Sequence, residues 1–147
     1  MSLFNSINVS ATGLTAERLR MDVISKNIAN ANTTRTPSGT AYRRQVVVFK
    51  TKHDNKPFSA YLNNITRRNL RFSGVEVVGI KEDTSPLKKI HNPGHPDADE
   101  RGYVLMPNVD IVTEMANMIS ATRAYEANVT ALNAAKGMAM KALEIGR

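Results

Sequence analysis

The chain of 147 residues has the length of one ordinary domain and carries a net charge of +7. It has no cysteine, which excludes disulfides, thiolate metal sites and a cysteine nucleophile. The N-terminus lacks a basic stretch followed by an apolar run, and no segment reaches the roughly 18 apolar residues that a membrane span needs. We therefore expect neither a Sec-type signal peptide nor a membrane-spanning segment.

Residues 1–32 contain no proline and show an apolar residue at every seventh position. The recurring residues are Ile7, Leu14, Met21 and Ile28. Leu3, Ile24 and Ala31 supply the partner positions, which Ser10 and Glu17 interrupt. This period predicts a long N-terminal helix of a coiled-coil domain, because a heptad repeat keeps one stripe facing a partner helix. The stripe is too thin for one small core to bury such a long helix.

The middle of the chain, residues 33–107, has a different character and holds all six prolines. The predicted strands, which are rich in β-branched residues, are Tyr42–Lys50 and Val75–Lys81, with weaker candidates at Leu87–His91 and Gly102–Met106. The segments 34–41 and 91–102 are rich in turn-forming residues and are predicted loops. These features predict a small, irregular β domain inserted between two helices.

Residues 108–147 repeat the heptad period of the N-terminal segment. The recurring residues are Ile111, Met118, Tyr125, Leu132 and Ala139. A companion row four residues further on is predicted at Met115, Val129 and Leu143, and Thr122 and Lys136 break it. The period predicts a second long helix, which is the C-terminal helix of the coiled-coil domain.

The start of this second helix has its own signals. Pro107 and Asn108 stand where an N-cap residue belongs, so we expect the cap there. Asp110 and Glu114 are expected to favour the positive end of the helix dipole.

The predicted fold class is α+β, with long terminal helices forming a coiled-coil domain around the β insert. Because the two helices share one period, the economical arrangement is an antiparallel or staggered pair. Such imperfect seams are marginal in a monomer and gain stability against neighbouring copies. Head-to-tail contacts of this kind build a helical tube when the rotation does not close into a ring.

The excess of positive charge lies in the middle of the chain, where residues 33–107 carry thirteen Lys and Arg against seven Asp and Glu. The arginines that could follow a phosphate backbone are Arg43, Arg44, Arg67, Arg68 and Arg71. One alternative is therefore a basic β module that binds nucleic acid, flanked by dimerising helices. Aromatic residues that could stack on bases are few, so we expect a solvated or salt-bridging face and no nucleic-acid partner.

One group of residues, within 91–102, has the composition of a metal site. It comprises His91, His95, Asp97 and Asp99. Interleaved prolines and a glycine make a stiff turn the better interpretation, because no second pair of ligands at helical spacing accompanies the group. The sequence contains no nucleotide-binding, hydrolase or metalloprotease motif, so we expect no enzyme, no metal and no cofactor.

Two segments resemble the terminal signatures of flagellar axial proteins, the family of rod and hook subunits. They are Ser25–Thr33 (SKNIANANT) and Val109–Asn128 (VDIVTEMANMISATRAYEAN). The pairing of Asn-Ile-Ala-Asn near one end with Arg-x-Tyr-Glu-Ala-Asn near the other carries the resemblance. Residues 34–42 and 92–108, together with the short insert, resemble the proximal rod proteins of this family.

This resemblance implies a structural subunit that polymerises into a helical tube, transmits torque and encloses the export channel. It implies copies of itself and other rod proteins as partners in a helical hetero-oligomer, with unfolded export through the flagellar type III apparatus. The implied location is the basal-body rod, which crosses the periplasm or cell wall. A sibling proximal rod protein is the alternative within the family.

The predicted subunit interface combines both seams with polar residues of the two signatures. Its residues are Ile7, Leu14, Met21, Asn27, Ile28, Asn30, Ile111, Met118, Arg123, Tyr125, Glu126, Asn128 and Leu132. Asn27, Asn30 and Asn32 lie where the first helix ends, and we expect them to cap it, while their contact with a neighbouring subunit is what the resemblance implies. Arg123 and Glu126, three residues apart, could pair with each other or bridge two subunits.

Overall fold

The computed structural model describes residues 3–52 and 74–145, which form two long helices with four strands between them. The elements in chain order are α1 (Leu3–Ala29), β1 (Gln45–Thr51), β2 (Val75–Glu82), β3 (Lys88–His91), β4 (Tyr103–Met106) and α2 (Ile111–Ile145). The predicted α+β class and all four predicted strands are confirmed. The division at residues 32/33 and 107/108 stays a prediction, and Arg67, Arg68 and Arg71 lie outside the described residues.

The strands form two separate antiparallel hairpins, β1 with β2 and β3 with β4. In the first hairpin Val48 lies opposite Gly79 while Phe49 lies opposite Val77, so Val78 has no partner in the register. Such a bulge bends its strand and increases the local twist. The β region is therefore irregular, as the prolines and mixed polarity of residues 33–107 predicted.

The two helices pack against each other in antiparallel orientation. Three pairs of facing residues are Asn27 with Glu114, Met21 with Thr122, and Gly13 with Asn128. Along these three contacts the residue numbers decrease in α1 while they increase in α2, so the helices run antiparallel. This confirms the antiparallel arrangement, one of the two that the shared period predicted. At Gly13 an added Cβ would lie 3.0 Å from Asn128 Oδ1, so this glycine allows a close approach of the two helices.

The predicted companion row of α2 is wrong at Met115 and Leu143, while Val129 is half-buried. Met115 and Leu143 are 55% and 77% exposed, while the fully buried residues of α2 are Glu114, Ala121 and Ala135. These buried residues follow the seam members by three positions, not by four. The true second row consists of one charged residue and two alanines, so it carries little apolar signal in the sequence. The small alanine side chains let the two helices approach closely.

The first hairpin also packs against α1. Ala16 and Val23 of α1 are buried, and the backbone N–H of Val75 donates a hydrogen bond to Thr12 Oγ1 at 3.1 Å. The Thr12 hydroxyl itself donates to the carbonyl oxygen of Val9 at 2.7 Å. Helix α1 is therefore held both by α2 and by the start of β2.

Gly74 lies at this contact and can be replaced only with strain. Its φ is +98°, and a Cβ there would collide with the Thr12 hydroxyl. We expect Gly74→Ala to destabilise the chain by roughly 1–3 kcal/mol, because L-residues adopt this backbone conformation only at a cost. Urea unfolding measures the loss. Gly79→Ala is the control, since no heavy atom lies within 4 Å of a Cβ there, and an equal loss in both variants would contradict the argument.

Helix α2 begins with a cap that differs from the predicted one. Thr113 Oγ1 donates a hydrogen bond to Asp110 Oδ2, which lowers the pKa of Asp110 from its ordinary value. The predicted cap at Pro107 and Asn108 is wrong, because helix α2 starts only at Ile111. Asn108 is engaged elsewhere, in the network described below.

Within residues 3–52 and 74–145, neither helix combines the length and apolarity required to cross a bilayer. The same ranges contain no group of three or more His, Asp or Glu side chains arranged to hold a metal ion. The predicted turn takes shape at residues 95–99, where Asp97 N–H donates to His95 Nδ1 at 3.1 Å. His91 lies edge-on to the Tyr103 ring, with ring centres 5.1 Å apart.

Candidate subunit interface and the network beneath it

The most completely buried polar side chain of α1 is Asn27, which is 1% exposed. Its Nδ2 donates to Gln45 O and to Glu114 Oε2, both at 2.8 Å. Its Oδ1 accepts hydrogen bonds from the Tyr42 hydroxyl and from Gln45 N–H, both at 2.9 Å. All four hydrogen-bonding positions of the amide are filled, so this residue joins α1 to β1 and to α2.

Glu114 is the second centre of the network and is also 1% exposed. Its Oε1 accepts hydrogen bonds from Arg44 Nε at 2.9 Å and from Arg44 Nη2 at 2.7 Å. Asn117 Nδ2 also approaches Oε1, at 3.3 Å. A buried carboxylate requires such a set of donors, because an ion without partners in the interior is very costly.

Arg44 also links the network to Asp83, which follows β2, and to Asn108, which precedes α2. The Arg44 backbone N–H donates to Asn108 Oδ1 at 2.8 Å, and Asp83 N–H donates to the Arg44 carbonyl oxygen at 2.7 Å. Arg44 Nη1 lies 3.5 Å from Asp83 Oδ2. Asn108 Nδ2 reaches the carbonyl oxygen of Asp83 at 3.1 Å. The network, defined here as Asn27, Tyr42, Arg44, Asp83, Asn108 and Glu114, therefore ties both helices to the first hairpin.

The pKa values of the network follow from these contacts. For Arg44, burial works against the charged form, but the hydrogen bonds and charge of Glu114 and Asp83 outweigh it and raise the pKa. Burial, followed by the negative charge of Glu114, raises the pKa of the Tyr42 hydroxyl. Hydrogen bonds from Ser85, followed by Arg44, lower the pKa of Asp83. Arg44, Tyr42 and Asp83 thus keep their ordinary ionisation states at neutral pH.

Two of the three asparagines of the first signature, Asn27 and Asn30, have different roles. Asn30 Nδ2 donates to the Lys26 carbonyl oxygen at 2.9 Å, so Asn30 caps the end of α1 as predicted. The predicted capping role of Asn27 is wrong, since its amide contacts β1 and α2 instead. No described residue other than glycine has a positive φ, so neither asparagine adopts a left-handed conformation.

Most predicted seam residues are half-buried. These are Ile7, Leu14, Met21, Ile28, Met118, Tyr125 and Leu132. Ile111 is 43% exposed, and Asn128 lies against Gly13 while donating to the Ala124 carbonyl oxygen at 2.9 Å. Met21 of the first seam lies against Thr122 of α2, so α1 and α2 already use part of these faces on each other within one chain.

Arg123 and Glu126 lie exposed on α2. In the described structure no ion pair joins them, and the ion pairs formed by other residues of α2 are those of Glu114 with Arg44 and of Lys141 with Glu144. The interpretation that Arg123 and Glu126 pair with each other is therefore wrong. Both charges remain open to a neighbouring molecule.

Helix α2 presents an exposed apolar face at its N-terminal half, here called the apolar stripe and formed by Val112, Met115 and Ile119. These side chains are 77%, 55% and 56% exposed. Their spacing of three and four residues places them on one side of the helix. Apolar side chains also stand exposed near the other end, where Leu143 is 77% and Ile145 is 86% exposed. Contiguous exposed apolar surface marks a site of protein association.

Comparison with known proteins assigns the two ends of the chain to one class. Residues 7–35 match the model of the flagella basal body rod protein family. Residues 100–145 match the model described as flagellar basal body rod FlgEFG protein C-terminal. The matched segments contain the seam of α1 with Asn27 and Asn30, and all of α2. The helix pair is therefore that of a flagellar rod protein.

Relatives of known function narrow this class. The chain is 51% identical to flagellar basal-body rod protein FlgC of Borreliella burgdorferi, over 99% of this chain and 98% of the relative. It is 48% identical to FlgC of Bacillus subtilis and 40% identical to FlgC of Escherichia coli, over 100% of both chains in each case. The chain belongs to the FlgC family of flagellar basal-body rod proteins. It is a structural rod protein located in the basal body.

Family membership decides between the classes weighed from the sequence, in favour of a rod protein and against a nucleic-acid-binding module. The sequence identified both ends of the site but missed its centre. Tyr42 and Arg44 were assigned only to a strand or a basic patch, and Glu114 only to the helix dipole. One signal could have found Glu114, because an acidic residue three positions after the seam member Ile111 faces the partner helix in a heptad.

Proposed function

We propose that the chain polymerises with copies of itself and with other rod proteins into the helical tube of the proximal rod, where it transmits torque and encloses the export channel. The observation that carries this proposal is the apolar stripe on α2. We further propose that the chain is exported unfolded through the flagellar type III apparatus. The proposal includes no catalytic step and no cofactor.

The apolar stripe supports assembly because it stays exposed on α2 although α1 and α2 already pack against each other within the chain. A neighbouring subunit must then pack against faces outside the α1–α2 seam, and the stripe is such a face. At about 25 cal/mol per Å2 of buried apolar area, covering the exposed part of one of these side chains contributes on the order of 1 kcal/mol. Repeated along a polymer, several such contacts per subunit are enough to hold a stiff tube together.

The predicted interface residues divide by exposure. Ile111, Arg123 and Glu126 are exposed and are proposed to contact a neighbour directly. The half-buried seam residues, together with Asn30 and Asn128, are proposed to reach a neighbour with the side-chain surface that the helix pair leaves open. Asn27, at 1% exposure, is proposed to act from within by fixing the angle between α1, β1 and α2.

Contacts between copies are proposed to be head-to-tail. A patch on one subunit that meets a different patch on the next generates a helix when the rotation does not close. A stripe that met its own copy would form a closed two-fold dimer, so growth into a tube requires a different surface of the neighbour to cover it.

The test replaces Ile119 with aspartate. An unpaired charge in a buried apolar contact costs a few kcal/mol, so we expect the amount of chain incorporated into rods to fall by more than about tenfold, with loss of swimming. Ile119 is 56% exposed in the single chain, so circular dichroism should show unchanged helix content. Ser120→Asp, at the adjacent exposed polar position, is the control and should swim. Normal rod assembly by the Ile119 variant would refute the role of the stripe.

A further inference from the structure

We propose that a cavity beside the β3–β4 hairpin binds an extended acidic segment, bearing apolar side chains, that belongs to a neighbouring rod protein. The cavity, here called the basic groove, lies between residues 34–43 and the hairpin and has a volume of about 790 Å3. This volume lies within the range of sites that bind small ligands and short segments. The inference rests on the proposed function for the identity of the partner, though not for the chemistry.

The floor of the basic groove is one face of the hairpin. Lys89 lies opposite Leu105 and His91 lies opposite Tyr103, and alternate residues of a strand point to the same side. Leu105 and Tyr103 are 47% and 44% exposed, so two large side chains face the cavity uncovered. Leu87 continues this face at the end of the groove. A ligand must therefore bring apolar groups as well as charge.

Positive charge surrounds this floor. The four cationic residues that line the groove are Arg35, Arg43, Lys89 and Arg101. Two acidic residues, Asp97 and Asp99, also line it, so the lining carries an excess of two positive charges. The excess favours a ligand with at least two negative charges.

The two carboxylates are occupied by internal contacts. Asp97 Oδ2 accepts the Thr34 hydroxyl at 2.8 Å, and Asp97 Oδ1 lies 3.8 Å from Arg35 Nη1. Asp99 Oδ1 accepts the backbone N–H groups of Arg101 and Tyr103, at 2.9 and 2.8 Å. These acids shape the loop and hold Arg35, and neither of them forms an ion pair with Lys89 or Arg101.

Lys89 and Arg101 are the cations without a partner. Among the described residues, neither side chain forms an ion pair or a hydrogen bond. The neighbouring Lys88 behaves differently, since its Nζ donates to the Val109 carbonyl oxygen at 2.9 Å. Two free cations above two exposed apolar side chains complement an acidic, apolar segment better than a simple anion, which would leave Leu105 and Tyr103 uncovered.

The experiment measures binding of a fluorescent octapeptide of alternating Glu and Leu to the purified full chain by fluorescence anisotropy. We expect Lys89→Glu and Arg101→Glu each to weaken binding by about tenfold, because each removes an attraction and adds a repulsion. Lys136→Glu is the matched control, since it makes the same change of charge on exposed α2, outside the groove, and should leave affinity unchanged. An octapeptide of alternating Lys and Leu should not bind.

Three results would overturn the inference. They are absence of binding by the acidic peptide, equal weakening by Lys136→Glu, and equal binding of inorganic phosphate or of phosphatidylglycerol vesicles with the same dependence on Lys89 and Arg101. None of these results bears on rod membership. If the chain enters rods normally but does not bind the peptide, only the basic groove proposal is refuted. The Ile119 variant tests the rod proposal separately.

Discussion

Replacing Glu114 with alanine is expected to lower the free energy of unfolding by about 3–5 kcal/mol, the cost of removing one partner of a buried ion pair. The variant leaves Arg44 with only its 3.5 Å contact to Asp83 and removes the acceptor of one Asn27 hydrogen bond. Whole domains are stable by only about 5–15 kcal/mol, so this loss is a large part of the total. Urea unfolding followed by circular dichroism measures it.

The matched control is Glu126→Ala, which removes the same side chain from an exposed position of the same helix. Its effect on the isolated chain should stay within about 0.5 kcal/mol, as for most surface substitutions. Similar losses in the two variants would mean that the network around Glu114 does not stabilise the fold. A second variant, Arg44→Met, should also destabilise, because it leaves the carboxylate buried with fewer donors.

Asn27→Ala is expected to cost roughly 2–4 kcal/mol, because several buried groups lose their partners at once. These groups are the Tyr42 hydroxyl, the N–H and carbonyl oxygen of Gln45, and one oxygen of Glu114. The C-terminal end of α1 should then lose its fixed position relative to β1. Amide hydrogen exchange should report faster exchange at residues 24–29.

The comparison for this prediction is Asn30→Ala, in the same motif three residues later. Asn30 makes a hydrogen bond to Lys26 at the exposed end of the helix, so its loss should cost less than about 1 kcal/mol. If both variants lose the same stability, the internal role assigned to Asn27 is wrong.

The parts of the fold that were predicted correctly depend on short-range pattern. Seven-residue spacing located α1 and α2 because a helix presents such residues on one side, and β-branched runs located β1 and β2. The antiparallel pairing followed as one of two arrangements once both periods were seen. These properties are encoded within one segment at a time.

The parts that were missed depend on contacts between segments far apart in sequence. Asn27 and Asn30 are the same residue type in one motif, and only the position of Gln45 and Glu114 separates an internal residue from a cap. The second row of α2 was misplaced because Ala121 and Ala135 carry little apolar weight. In the sequence the basic groove was detectable only as an excess of positive charge, since the sequence does not show which carboxylates already form hydrogen bonds or ion pairs.

The network closes over long distances along the chain, with Asn27 and Glu114 separated by 87 residues and Arg44 and Glu114 by 70. A chain that leaves a narrow channel with α1 first would expose Asn27 and Arg44 well before Glu114, the acid that both of them contact. The chain would stay flexible during transport, because the network forms only after the last third of the chain has emerged. Folding of the network would therefore follow transport, since contacts between residues far apart in sequence form late.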